Sequence, residues 1–215
     1  MNRFRSMYVF SIMVTTLFLS CAQNSADEID FGTVQDSVYR NEYFGLTVTM
    51  PADWSLQDQE TLKALSETGG RVLAGDDKNL AATIKASELK SVHLFAAFKH
   101  PVGSPVLFNP SIVCVAERVA HLPGIDEGAD YLYHTRRLLQ AGQMEYVFPS
   151  EISEASLGGV GFGLLSSELS MAGTTIRQDF YSRVTKGYAL SIIVSYTTDE
   201  EYSTLRNVLD SVSFD

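Results

Sequence analysis

Two cysteines and one tryptophan are all that 215 residues contain of either type. Two thiols cannot staple a small fold or build a thiolate zinc site. Basic residues are scarce as well, 16 against 26 acidic ones, for a net charge of -10. A nucleic-acid binder needs a basic face to neutralise phosphates, so nucleic acid is not an expected partner. No long hydrophobic run is present. Met7 to Leu19 is the most apolar stretch, and it falls short of the roughly twenty residues that a membrane-spanning helix needs. What is present is ordinary: 45% hydrophobic and 20% charged residues, a globular composition rather than a collagenous or disordered one.

The apolar run follows Arg3 and Arg5 with no acid before it. A basic start and a short apolar core make a secretory signal peptide, expected over residues 1–20. The run ends Leu17-Phe18-Leu19-Ser20-Cys21. This resembles the lipobox of bacterial lipoproteins, in which a small residue precedes a Cys that is acylated and becomes the new N-terminus. Ser20 and Cys21 match; Phe18 and Leu19 depart from the usual residues. The competing reading is cleavage after Ala22, because Ser20-Cys21-Ala22 also satisfies small-x-small. Removal of residues 1–20 leaves 14 basic against 26 acidic residues, a net charge of -12. Such a body gains nothing from anionic headgroups. Anchoring then rests on lipid, at about 0.8 kcal/mol per buried methylene. The expected location is the cell envelope, facing periplasm or exterior. By the rule for such leaders, Ala22 rather than Asp after Cys21 points to the outer membrane where the cell has one.

Residues 21–38 are polar and acidic, with Asp27, Glu28, Asp30 and Asp36, and most of this stretch reads as a flexible tether. One domain is expected over residues 39–215, with no linker composition inside it. Leu46–Met50 alternates as a half-buried strand. A helix comes next, capped from Ser55 or Asp58 and broken at Gly69-Gly70, and a second starts at Asp76-Asp77. Strands are expected over Val92–Lys99 and Ser111–Val119, and a helix over Asp126–Gln140. Leu164–Met171, Thr175–Val184 and Tyr188–Tyr196 form a strand meander. Parity favours a three-residue turn at Thr185-Lys186-Gly187, pairing Val184 with Tyr188, and a two-residue turn at Ala172-Gly173, pairing Leu169 with Ile176. Thr198 and Glu201 make a capping box for a last helix. Strands in runs with separated helices imply an α+β fold with a mainly antiparallel sheet.

The order of elements is similar to the PsbP-like (Mog1/PsbP) superfamily. The residues that carry the likeness are Tyr43-Phe44-Gly45-Leu46 leading to Pro51 and Trp54, Asn109-Pro110-Ser111, Asp130-Tyr131-Leu132, Gln178-x-Phe180-Tyr181 and Tyr196-Thr197-Thr198-Asp199-Glu200. The resemblance runs from about Tyr39 to Phe214. It implies an α/β/α sandwich, an antiparallel sheet flanked by helices, and a binding or assembly role without catalysis.

No constellation for chemistry is visible, so no catalytic residue, metal site or cofactor is expected. His93, His100, His121 and His134 lack metal-ligand spacing. His93 shares a strand face with Phe95 and reads as structural. Cys114 lies in an apolar strand and reads as a buried small hydrophobe. The run Gly158-Gly159-Val160-Gly161-Phe162-Gly163 precedes a strand rather than opening a helix, unlike a phosphate-binding loop. Arg177, Asp179, Tyr181 and Arg183 form a charged and aromatic stripe on one strand. It is the first candidate for a recognition surface, against the plainer reading of a solvated or helix-covered face.

These observations favour a lipid-anchored envelope protein whose domain binds rather than catalyses, touching the membrane through lipid on Cys21 and also a protein partner. Two alternatives stay open. A secreted hydrolase would show a pocket with a perturbed His or carboxylate, and a carrier of a small apolar ligand would show a sizeable cavity between sheet and helices. Changing Cys21 to Ser should move the protein from the membrane to the soluble fraction of lysed cells; unchanged partitioning would remove the lipid anchor.

Overall fold

The computed structural model describes residues 29–171 and 173–215. The leader and Cys21 lie outside the described residues. The first element among the described residues comes earlier than expected. Strand β1 (Thr33–Gln35) sits inside the stretch read as tether and pairs with β2 (Val38–Asn41) across Asp36 and Ser37, both at positive φ. The Asp30 carboxylate organises this start by accepting from the Gly32 N–H and the Asn41 amide, while the Tyr39 hydroxyl donates to the Phe31 carbonyl. Strand β3 (Leu46–Thr49) buries Leu46 and Val48 as its alternation requires, and the two-residue β4 (Ser55–Leu56) comes after it.

Helix α1 (Gln59–Ala74) is capped by Asp58, whose carboxylate accepts from the Thr61 N–H at 2.7 Å. It does not break at Gly69-Gly70 but continues to Ala74, ending at Gly75 with φ +52. Tertiary packing overrides the glycine propensity here, which costs only about 1 kcal/mol per Gly. A Cβ on Gly70 would lie 2.8 Å from Cγ2 of Ile84, so the glycine lets α1 approach α2 (Lys78–Glu88) closely. Asp77 caps α2 through the Asn79 and Leu80 N–H groups. Strands β5 (Ser91–Phe98) and β6 (Ser111–Arg118) enclose the Pro- and Gly-rich loop. Asn109 closes that loop by accepting from the His100 N–H (2.9 Å) and donating to the His100 carbonyl (2.7 Å). Helix α3 (Gly128–Ala141) begins two residues later than expected, because the Asp130 carboxylate folds back onto the Asp126 and Glu127 N–H groups.

Short strands β7 (Tyr146–Val147) and β8 (Ser153–Leu157) precede the long meander of β9 (Val160–Met171), β10 (Thr174–Thr185) and β11 (Tyr188–Tyr196). Leu169 lies opposite Ile176 and Glu168 opposite Arg177, as parity predicts. The next register differs from the expected one. Thr185 pairs with Tyr188 and Arg183 with Leu190, so Lys186-Gly187 is a two-residue turn. A type I′ turn of this length needs positive φ at both positions, and Lys186 (φ +50) and Gly187 (φ +79) supply it. The Lys186 ammonium is tied to the Tyr43 carbonyl and lies 4.9 Å from the Tyr43 ring centroid, which holds its backbone there. Helix α4 (Asp199–Asp210) carries the Thr198/Glu201 capping box, and β12 (Ser213–Phe214) closes the fold.

All pairings are antiparallel. The main sheet runs β4-β5-β6-β11-β10-β9-β7, with β8 also on β9; a second sheet runs β1-β2-β3-β12. The fold is therefore α+β with antiparallel sheets flanked by helices. One face of the main sheet carries Leu190, Ile192, Val194, Cys114 and Tyr181 and packs on the second sheet and α4 through Tyr39, Val48, Leu205 and Leu209. The opposite face, with Leu165 and Phe180, packs on α3 through Leu132 and Leu139. Each fully buried Leu, Ile or Val contributes about 1.5–3 kcal/mol, so covering both faces dominates the stability of the fold. Gly158 and Gly159 (φ +57 and +77) turn β8 into β9, while Gly163 and Gly128 let the start of α3 lie against β9 and β10. A Cβ on Gly128 would collide with the Ser182 carbonyl oxygen, whereas one on Gly161 meets nothing. Gly128→Ala should therefore destabilise the protein by about 2–3 kcal/mol in urea unfolding, and Gly161→Ala by well under about 1 kcal/mol.

Candidate functional site

Register places the helix-side face of the main sheet in rows across the strands. One row is polar: Ser111 opposite Ser195, Ser195 opposite Gln178, Gln178 opposite Ser167. The Gln178 amide donates to the Ser195 hydroxyl at 3.0 Å, and the buried Ser167 hydroxyl has no hydrogen-bond partner among the described residues. The next row is apolar: Ala96, Val113, Ile193, Phe180 and Leu165. Helices α1, α2 and α3 do not settle fully onto this floor. Between them and the sheet lies a cavity of about 610 Å³, walled by Leu62, Leu65 and Leu73 of α1, Ile84 of α2 and Leu139 of α3. That volume is within the usual range for small-molecule sites, about 300–1,000 Å³.

The other end of the floor is polar. Glu88, Ser91, His93, Glu117 and Tyr131 line the cavity there. His93 reaches it because of a β-bulge. His93 pairs with Val115 but Phe95 with Cys114, so the two side chains fall on opposite faces rather than sharing one. An extra residue in one strand re-aims the side chains beyond it; Phe95 goes to the core beside Tyr39, at 4.6 Å between ring centroids. Burial holds the His93 imidazole below its ordinary range, more than the nearby Glu88 charge raises it. The Tyr131 hydroxyl donates to Glu117 at 2.8 Å; burial, and then the Glu117 charge, push the Tyr131 phenol well above its usual range. Glu88 accepts a long contact from Ser66 at 3.4 Å. Neither carboxylate forms an ion pair among the described residues, and the His93 ring makes no hydrogen bond to a nucleophile or a carboxylate among them.

The stripe of Arg177, Asp179, Tyr181 and Arg183 is not one continuous surface. Asp179 is 7% exposed and accepts from the Ser166 and Tyr196 hydroxyls at 2.6 and 3.1 Å. Tyr181 is in the core under α4, its phenol pushed above the usual range first by burial and then by Asp179. Arg177 forms an ion pair with Asp199 at 3.0 Å and lies 3.9 Å from Glu168. The Arg183 guanidinium stacks over the Phe214 and Phe162 rings at 5.3 and 5.8 Å. A helix and β12 cover this face, as the plainer reading of the stripe allows. Cys114 is buried in the sheet, and its thiol is pushed far above the usual range by burial. Among the described residues no group of three His, Cys, Asp or Glu side chains could hold a metal ion. No helix among them is long and apolar enough to cross a membrane.

No family model matches the chain, and no curated protein matches its sequence. Among solved structures the chain is similar to PsbP of the cyanobacterium Synechocystis, with a TM-score of 0.49, 11% identity, and 86% of this chain and 96% of that one covered. It is similar to LpqN, involved in cell envelope biogenesis of Mycobacterium tuberculosis, with a TM-score of 0.38, 16% identity, and coverage of 78% and 83%. A Bacteroides thetaiotaomicron protein gives a TM-score of 0.41 at 11% identity, covering 80% of this chain and 45% of its own. These likenesses concern the chain path alone and bring no residue role with them.

The lowered His93 pKa sets a pH dependence. As pH falls through the ordinary value of 6.5, the unfolded chain takes up a proton that the folded protein does not. Stability present above that pH is therefore lost below it. In His93→Gln the drop in urea midpoint between about pH 7.5 and about pH 5.5 should be smaller than in the wild type; an equal drop would show that His93 does not contribute.

Proposed function

We propose that this is an envelope protein, held to a membrane by lipid on Cys21, whose PsbP-like domain works by binding and takes an apolar small molecule into the cavity between the main sheet and α1–α3. The observation that carries the reading is the cavity itself. Its walls are largely aliphatic and aromatic, and polar groups gather at the Ser111–Gln178 row and the Glu117 end, with Ser66 and Thr68 of α1 besides. A cavity of this kind holds a ligand by apolar burial and orients it by a few polar contacts. The leader supports the envelope location, and the Lys- and Arg-poor body supports lipid rather than charge as the anchor.

A hydrolase would need His93 to meet a nucleophile. Ser66 bonds to Glu88 instead, and Cys114 faces the opposite side of the sheet, so binding accounts better for the same residues.

Titration with N-phenylnaphthylamine, an apolar dye that brightens out of water, tests the cavity. The soluble domain should bind the dye saturably, with about one site per chain. Leu65 is only half-buried on α1, so Leu65→Trp fills space without disturbing the sheet. It should weaken the dye by about tenfold, or about 1.4 kcal/mol, with thermal unfolding unchanged. A linear, non-saturating signal, or equal affinity in the variant, would overturn the cavity as a ligand site.

A further inference from the structure

The cavity has a charge preference that its apolar lining conceals. No Lys, Arg or Asp lines it; its charged side chains are Glu88 on α2 and Glu117 on β6. Both carboxylates lie at the same end. Ser91, which starts the strand after α2, is directly opposite Glu117, and Glu88 ends the helix just before it. Tyr131 fixes one oxygen of Glu117 through its 2.8 Å bond, and the other oxygen accepts no hydrogen bond among the described residues. His93 beside them is held toward its neutral form by burial, and the cations near Glu88, Arg71 and Lys85, line a second, smaller pocket rather than this cavity. Carboxylates at an apolar wall are costly when unpaired and favourable when a cation docks against them.

From Glu117 the floor runs along β6 over Val115 and Val113 to Ser111, all of which line the cavity. At about 3.3 Å per residue this is a path of about 20 Å, apolar in the middle and polar at both ends. An anionic head would be repelled at one end and find only neutral hydroxyl and amide groups at the other. The geometry points to an amphiphile with a protonated amine: the ammonium pairs with Glu117 and Glu88, and the alkyl chain lies over Val115, Val113, Ile193 and Phe180 toward the Ser111–Gln178 row. This assignment rests on the cavity reading above and adds the chemistry of the ligand to it. A single charge difference at the head group, about 4 Å from a carboxylate near a protein surface, is worth several kcal/mol at most, so selectivity of tenfold or more is within reach.

The test displaces bound N-phenylnaphthylamine with three ligands of equal chain length: dodecylamine, dodecanol and dodecanoate. The amine should compete at least about tenfold more strongly than dodecanoate, with the alcohol between them. In Glu117→Gln the advantage of amine over alcohol should collapse while alcohol affinity stays the same; Glu88→Gln, on the exposed end of α2, should give a smaller loss. Tyr131→Phe, which frees Glu117 to move but keeps its charge, should weaken the amine alone. Should Glu117→Gln fail to fold, the order of the three ligands on the wild type and on Glu88→Gln decides. Dodecanoate binding as well as the amine, or a ligand order unchanged by both Glu variants, overturns the charge assignment while leaving the cavity standing. No displacement by any of the three overturns the cavity itself.

Discussion

Burial of the main sheet on both faces is the constraint on which the rest depends. β11 has apolar neighbours above and below: Leu190, Ile192 and Val194 face the second sheet and α4, while Ala189 and Ile193 face the helices. A strand buried on both sides places no demand that polar and apolar residues alternate. That freedom lets Arg183 stand opposite Leu190 without exposing the core, because Phe214 and Phe162 receive its guanidinium. It also forces every polar group on the sheet to find a partner, and most do. Ser182 bonds to Ser191 at 2.6 Å, and Asp179 to Ser166 and Tyr196. Ser167 is the one buried side-chain atom among the described residues that does not.

Much of this architecture is legible in the sequence. The helix caps at Asp58, Asp77 and Thr198, the turn pairing Leu169 with Ile176, and the order of the helices and longer strands come from local signals that act within a few residues, whereas the short strands β1, β2, β4, β7, β8 and β12, and with them the second sheet, do not. The departures share a cause. Helix α1 continues past Gly69-Gly70 because Ile84, distant in the chain, fills the space that a side chain would have taken. The turn at Lys186 adopts a strained backbone where Tyr43, in the turn between β2 and β3, holds the lysine. β1 forms early because Asp30 reaches Asn41. In each case a long-range partner outweighs a local preference of about 1 kcal/mol.

The sequence points to the cavity only as a feature that a carrier would need, and it does not single out the lining residues. Val113, Ile193, Phe180 and Leu65 are unremarkable apolar residues until register puts three of them in one row and α1 brings the fourth above it. Glu117 and Tyr131 sit on separate elements and read as an ordinary strand end and an ordinary helix face. A bulge that shifts one strand by one residue puts His93 in the cavity, and no local sequence signal marks it. The stripe singled out for recognition fails as a continuous surface for the opposite reason: alternation identifies what shares a face, but not what covers that face.

The second sheet joins strands from the two ends of the described chain. Ser213 and Phe214 pair with β3, the Asp215 N–H bonds to Gly45, and the Ser211 hydroxyl bonds to Thr49 across 162 residues. The layer that seals one side of the core is thus incomplete until nearly all of the polypeptide is available. Closure over so great a separation is slow, since loop entropy must be overcome before any contact rewards it. The segment made first lacks the residues to seal this layer, so the fold locks only once the last strand is available.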